Sequence, residues 1–234
     1  MDFAQVLVLA AAVLAVVYAL RWATADAAPS WARSLTKTGA VALLALAAWR
    51  AGAPWLIVAG LALGSAGDFA LSRPGARAFL AGMAAFAAGH LAYVLAFAAP
   101  LAFAGQAGGA GWAASPGDYA VIAALVLLLG STEFWLAPHT GEMRWPVRAY
   151  VLVIGLMAVA ALVPGGSGGA ALRAGVALFV ASDLMLALEQ FVVRAPARRQ
   201  QLARALWPAY WCAQALILMG GLQDPGVWWL IAQG

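Results

Sequence analysis

Apolar stretches follow one another along nearly the whole chain, at about 3–22, 36–49, 54–72, 77–99, 118–137, 147–163, 170–190 and 205–222, separated by Pro, Gly and Arg punctuation. Only 9% of the residues are charged, against roughly 25% in an ordinary soluble domain. So few charges cannot coat a water-soluble surface, and most of the outside must face hydrocarbon. The stretches are too long and too rich in Ala and Leu for strands, and they lack the alternation of a membrane barrel. The expected fold is an all-α integral membrane protein, an eight-transmembrane-helix bundle, with residues 1–234 forming a single transmembrane domain. A span uses about 20 residues, so the connections are short and a second domain outside the bilayer has no room.

The excess of bases gives a net charge of +4. In a soluble protein that balance suggests nucleic acid as a partner; here its distribution reads as topology, and no nucleic-acid partner is expected. The first, third, fifth and seventh connections hold Arg21, Arg33 and Lys37; Arg73 and Arg77; Arg144 and Arg148; and Arg194, Arg198, Arg199 and Arg204. The even connections hold only Arg50 and Arg173, an eleven to two split that places the odd connections in the cytoplasm and both termini outside. Arginine outnumbers lysine twelve to one, which suggests a GC-rich bacterium and hence the inner (cell) membrane as the location of this multi-pass chain.

Several features read as bland. Ala25-Asp26-Ala27 loosely resembles a signal cleavage site, but Met1-Asp2 lacks a positive start and the apolar run exceeds the 7 to 15 residues of a signal core, so the segment reads as a span. The Gly-rich connections at 105–117 and 165–169 lack a phosphate-loop pattern and read as flexible outer loops. The segment 227–231, with Trp228 and Trp229, is too short to cross and reads as an interfacial anchor. Cys212 is alone, which excludes an internal disulfide framework and a cysteine-based metal cage.

Ionisable groups inside spans are the informative exceptions, because each costs at least about 2.5 kcal/mol to insert and so demands a partner, a wet cavity or a function. Asp68, His90, Glu133 and Asp183 qualify. Gly60, Gly64 and Asp68 recur every four residues, putting the carboxylate at the end of a small-residue stripe that faces protein. His90 lies on a face with Gly82 and Phe86 and has Tyr93 one turn beyond; Asp183 lies on a face with Gly175 and Phe179, preceded by Ser182. Trp207, Tyr210 and Gln214 share a face of the last span, while Lys37, Tyr150 and Glu133 lie near cytoplasmic span ends. Counting along each span puts Asp68, His90, Asp183, Tyr210 and Gln214 in the inner half, as expected of one polar cavity open to the cytoplasmic leaflet. Two buried carboxylates without a nearby buried arginine are expected to stay protonated or to share a proton and a cation. Glu133 reads as a structural, near-interface charge.

In order and spacing, Gly67-Asp68, then Gly82, Phe86, His90 and Tyr93, then Tyr150 with Met157, then Phe179 to Leu186 (FVASDLML), then Tyr210 and Gln214 to Ile217 resemble the YhhN family across all eight spans. Lys37 sits where that family usually has Lys-Pro, with Thr38 replacing the proline. The resemblance implies a lysoplasmalogenase: hydrolysis of the vinyl ether bond of a lysophospholipid substrate to a fatty aldehyde and a glycerophospho-head-group alcohol. Such a bond is cleaved by protonating its terminal alkene carbon and capturing the oxocarbenium ion with water, which requires a carboxylic acid still protonated at neutral pH and a second carboxylate. Asp68 and Asp183 then form the acid and base pair, and His90 relays protons or holds one carboxylate. Tyr93, Tyr150, Ser182, Tyr210 and Gln214 orient water and substrate, and Lys37 meets the lipid phosphate.

Two other classes fit less of the chain. Paired intramembrane aspartates also occur in presenilin-like proteases, but Ser65 stands where their GxGD motif needs its first Gly, and the PAL tripeptide is absent. A proton-coupled transporter or lipid-binding protein also uses buried Asp and His. No metal-ligand spacing is recognisable, so no cofactor or metal is expected. The partners expected are substrate and membrane lipids; the sequence leaves the oligomeric state open.

Overall fold

The computed structural model describes residues 2–104, 113–163 and 166–223. Among these residues the regular structure is all helical, without strands. Eight α-helices follow in order: α1 (Phe3–Trp22), α2 (Trp31–Arg50), α3 (Trp55–Leu71), α4 (Ala76–Ala104), α5 (Pro116–Trp135), α6 (Arg144–Ala160), α7 (Gly166–Ala187) and α8 (Pro196–Gln223). The apolar runs located every helix. The expected anchor at 227–231 and most of the loop at 105–117 lie outside the described residues.

Two helices begin well before their apolar runs. Ser30 caps α2 by accepting from the Arg33 backbone N–H, and so draws Arg33 and Lys37 into the helix. Pro196 opens α8, which carries Arg198, Arg199 and Arg204 in helical turns rather than in a loop. Arg and Gln are good helix formers, so a basic connection need not be irregular.

Six helical segments are long and apolar enough to cross a membrane: Phe3–Trp22, Ala76–Ala99, Pro116–His139, Gly141–Ala160, Gly168–Val192 and Pro196–Leu222. They make this a multi-pass membrane protein. The two that fall outside the set, α2 and the 17-residue α3, carry Lys37 and Asp68 respectively. Large apolar side chains such as Val13, Leu20, Leu127 and Phe134 stand exposed on the bundle surface, as lipid-facing residues do. Exposed Trp31 and Trp145 stand at helix starts among the arginine-rich connections, and exposed Trp49 and Trp55 flank the turn between α2 and α3.

Packing is closest between α7 and α8, α3 and α4, α1 and α2, and α2 and α3. The core joins Val41 and Leu44 of α2, Ile57 and Leu61 of α3, Tyr93 and Phe97 of α4, Met157 of α6, Phe179 of α7 and Ile217 of α8. The small-residue stripe of α3 admits large neighbours. A Cβ on Gly60 would lie 2.3 Å from the Tyr93 ring, and one on Gly64 would lie 2.6 Å from Gln214 Nε2. Indole N–H groups tie the last helix down, Trp207 donating to the Ala15 carbonyl and Trp211 to the Ala40 carbonyl.

Candidate functional site

The polar residues gather into two hydrogen-bonded clusters. In the first, Lys37 Nζ of α2 lies 3.0 Å from Asp68 Oδ1 of α3. Tyr210 of α8 donates to Asp68 Oδ2 at 2.8 Å, Gln214 Nε2 donates to Tyr210 Oη at 3.3 Å, and Tyr93 of α4 donates to Gln214 Oε1 at 2.6 Å. Asp68 and Gln214 are completely buried. The Trp207 ring, 5.8 Å from Lys37 Nζ, adds a cation-π contact to the ammonium. A buried ion pair survives only when further hydrogen bonds compensate desolvation, and Tyr210 supplies one.

In the second cluster, Tyr150 of α6 donates to Asp183 Oδ2 of α7 at 2.8 Å. His90 Nε2 of α4 lies 3.1 Å from the Tyr150 hydroxyl and 3.4 Å from the same carboxylate oxygen. Among the described residues nothing bonds Asp183 Oδ1.

Aromatic rings stand between the clusters. Phe86 packs against both Tyr210 and His90, with centroids 5.6 and 6.5 Å away, and Phe179 does the same at 5.3 and 4.7 Å. In place of the expected single polar cavity, the two aspartates are separately partnered. The cation sought for Asp68 comes from a helix remote in sequence. Lys37, expected at the lipid phosphate, is largely buried in this pair. Ser182 does not join either cluster, because its hydroxyl donates to the Phe179 carbonyl of its own helix. Glu133 accepts a forked pair of bonds from Arg148 near the surface, as its near-interface reading suggests.

Each cluster borders a cavity. The larger, about 420 Å³, opens among the basic connections, with Trp22, Arg33, Lys37, Arg73, Glu189 and Trp207 in its wall. The smaller, about 100 Å³, is a narrow apolar cleft between α4, α5, α6 and α7, lined by Met83, Phe86, Leu128, Val151 and Val180 and bordered by Tyr150 and Asp183. Leu71, Phe79, Leu186 and Phe191 belong to both walls, so a polar chamber adjoins an apolar cleft.

The sequence reading missed Arg33, Arg73 and Glu189 as cavity residues. Glu189 lies in a five-residue π-helical turn (Leu188–Val192) that continues α7 and buries its carboxylate, where Arg199 holds it at 2.6 Å. Such turns interrupt helices chiefly at functional sites, but no residue pattern here announces one. Among the described residues no group of three or more His, Cys, Asp or Glu side chains is arranged to hold a metal ion.

The profile of the YhhN family matches residues 32–221. The chain is 32% identical over 216 residues to lysoplasmalogenase TMEM86B of Rattus norvegicus, covering 90% of this chain and 81% of that one. It is 31% identical to lysoplasmalogenase TMEM86B of Homo sapiens, covering 89% and 83% of the two chains, and 28% identical to lysoplasmalogenase TMEM86A of Bos taurus, covering 89% and 85%. No solved structure matches it.

Proposed function

This chain belongs to the YhhN family, and from that premise we propose that it is a membrane hydrolase cleaving the vinyl ether bond of lysoplasmalogens. The observation that carries the reading is the meeting of a basic polar chamber with a narrow apolar cleft beside a carboxylate. The lysophospholipid head group occupies the chamber and the alkenyl chain the cleft, so the vinyl ether, the first bond of the chain, comes to rest near Asp183.

Asp183 is the proton donor. Tyr150 occupies its Oδ2, leaving Oδ1 to carry the proton that is delivered to the alkene carbon not bonded to oxygen. The resulting oxocarbenium ion is captured by water at the carbon bearing oxygen, and the hemiacetal collapses to a fatty aldehyde and the glycerophospho alcohol. His90 and Tyr150 hold the carboxylate left behind, which regains its proton from water while the proton taken up at Asp68 is given back to water in the chamber, so a turnover consumes no net proton. Asp68 acts through Lys37 and Tyr210: the ammonium at the chamber wall binds the incoming water, and the carboxylate behind it takes up the released proton. Tyr93 and Gln214 fix Tyr210, and Ser182 fixes the helix turn that presents Asp183. No cofactor enters this scheme.

In this reading all eight helices span the bilayer as one domain. The arginine-rich connections face the cytoplasm of a bacterial inner membrane, and both termini lie outside. The test is incubation of the purified protein with vinyl-ether and acyl lysolipids side by side, reading aldehyde against fatty acid. Aldehyde from the vinyl ether alone is expected; fatty acid release, or no product with either lipid, overturns the proposal.

A further inference from the structure

The chamber wall carries two guanidinium groups that proton transfer does not use. Arg33, in the first turns of α2, reaches the Ser72 carbonyl at the end of α3 with Nη1 at 3.4 Å. Arg73, one residue past that end, reaches back to Ser34 Oγ at 3.2 Å. The two serine hydroxyls join the helices at 2.7 Å, and the Trp31 ring lies 4.4 Å from the Arg73 guanidinium carbon. Two like charges are thus held side by side, half-buried, by neutral groups.

Neither arginine is paired with a carboxylate among the described residues. Arg33 Nε is buried without a hydrogen-bond partner. The one carboxylate in the same wall, Glu189, is already taken by Arg199. With Lys37 committed to Asp68, the chamber keeps two cations that lack an anion. Guanidinium pairs in this state are suited to the planar, forked recognition of phosphate oxygens.

We infer that Arg33 and Arg73 form a phosphodiester subsite that binds the lysophospholipid head group and sets the depth to which its chain enters the adjoining cleft. Lys37 is thereby freed from that duty. The inference rests on the lysolipid reading for the fate of the chain, but binding can be measured without turnover.

The test uses the full-length protein in detergent with a saturated ether lysophosphatidylethanolamine, which has no vinyl group to cleave, and with the matching alkylglycerol, which has no phosphate. The wild type should bind the phospholipid about tenfold or more tightly than the alkylglycerol, the weight of a charge-assisted hydrogen bond. The double variant Arg33→Gln with Arg73→Gln should lose that preference and keep its affinity for the alkylglycerol, which also reports an intact fold. Equal binding of the two lipids by the wild type, or a preference retained in the double variant, overturns the inference.

Should the variant bind neither lipid, competition on the wild type decides. Glycerophosphoethanolamine should displace the phospholipid at much lower concentration than inorganic phosphate does. No displacement, or equal displacement by inorganic phosphate, overturns a head-group site. A protein that shows the phosphate preference but releases no aldehyde from a vinyl ether would retain the subsite and lose the hydrolase reading.

Discussion

Lys37 Nζ and Asp68 Oδ1 lie 3.0 Å apart with side chains only 12% and 1% exposed, so the lone lysine of the chain forms a deeply withdrawn ion pair. An isolated buried charge is far costlier than a paired one, and the two members are interdependent for stability as well as for chemistry. Asp68→Asn should lower stability by about 3 to 5 kcal/mol, the usual cost of orphaning one partner. Lys37→Met combined with Asp68→Asn should recover much of that loss while remaining inactive. Thermal unfolding in detergent, run beside aldehyde release, checks both halves; a double variant as unstable as the single one contradicts the pairing.

Asp183→Asn should behave differently. The amide oxygen still accepts from Tyr150, so the fold is retained, while the loss of an acid proton should reduce turnover by about 100-fold or more. The unaltered protein should be slower in D₂O, since a proton moves to carbon. Its rate should fall on the alkaline side, where the acid donor is lost, and on the acid side, where the second carboxylate is protonated. A flat pH profile with no solvent isotope effect contradicts the mechanism.

His90→Ala should retain more activity than Asp183→Asn, because Tyr150 alone still holds the carboxylate. Full activity would reduce His90 to a packing partner of Phe179, 4.7 Å away.

Gly60→Ala should destabilise by about 1 to 3 kcal/mol through overpacking, since the new methyl would fall 2.3 Å from the Tyr93 ring. Gly130→Ala on α5 is the control: nothing lies within 4 Å of its Cβ position, and helix propensity favours Ala by up to about 1 kcal/mol. Melting temperatures should move in opposite directions.

Reporter fusions test orientation. A reporter joined after Gly234 should be active on the outer side, and one inserted in the connection before Pro196 on the inner side. The reverse pattern contradicts the charge-based topology.

The helices were legible because apolar runs and their punctuation are local signals. The starts of α2 and α8 were not, since Arg33 and Arg198 look like loop chemistry until Ser30 and Pro196 are recognised as helix openers. Asp68, His90, Asp183, Tyr210 and Gln214 stood out by the cost of burying them. Which groups would partner which was not legible, because the neighbours come from α2, α3, α4, α6, α7 and α8, and a one-dimensional pattern carries no information on which helices touch. For the same reason Phe86 and Phe179 read as ordinary packing residues on faces shared with His90 and Asp183, not as the layer that divides two clusters.

The bonds from Tyr93 through Gln214 and Tyr210 to Asp68 all run in one direction, each donor facing the carboxylate. Their far end, Tyr93, is only 1% exposed and stops in the core. Only the Lys37 end of this chain of bonds borders the chamber. If Asp68 takes up a proton as proposed, that proton is exchanged through the chamber, and the bonded chain behind it serves to hold the carboxylate in place.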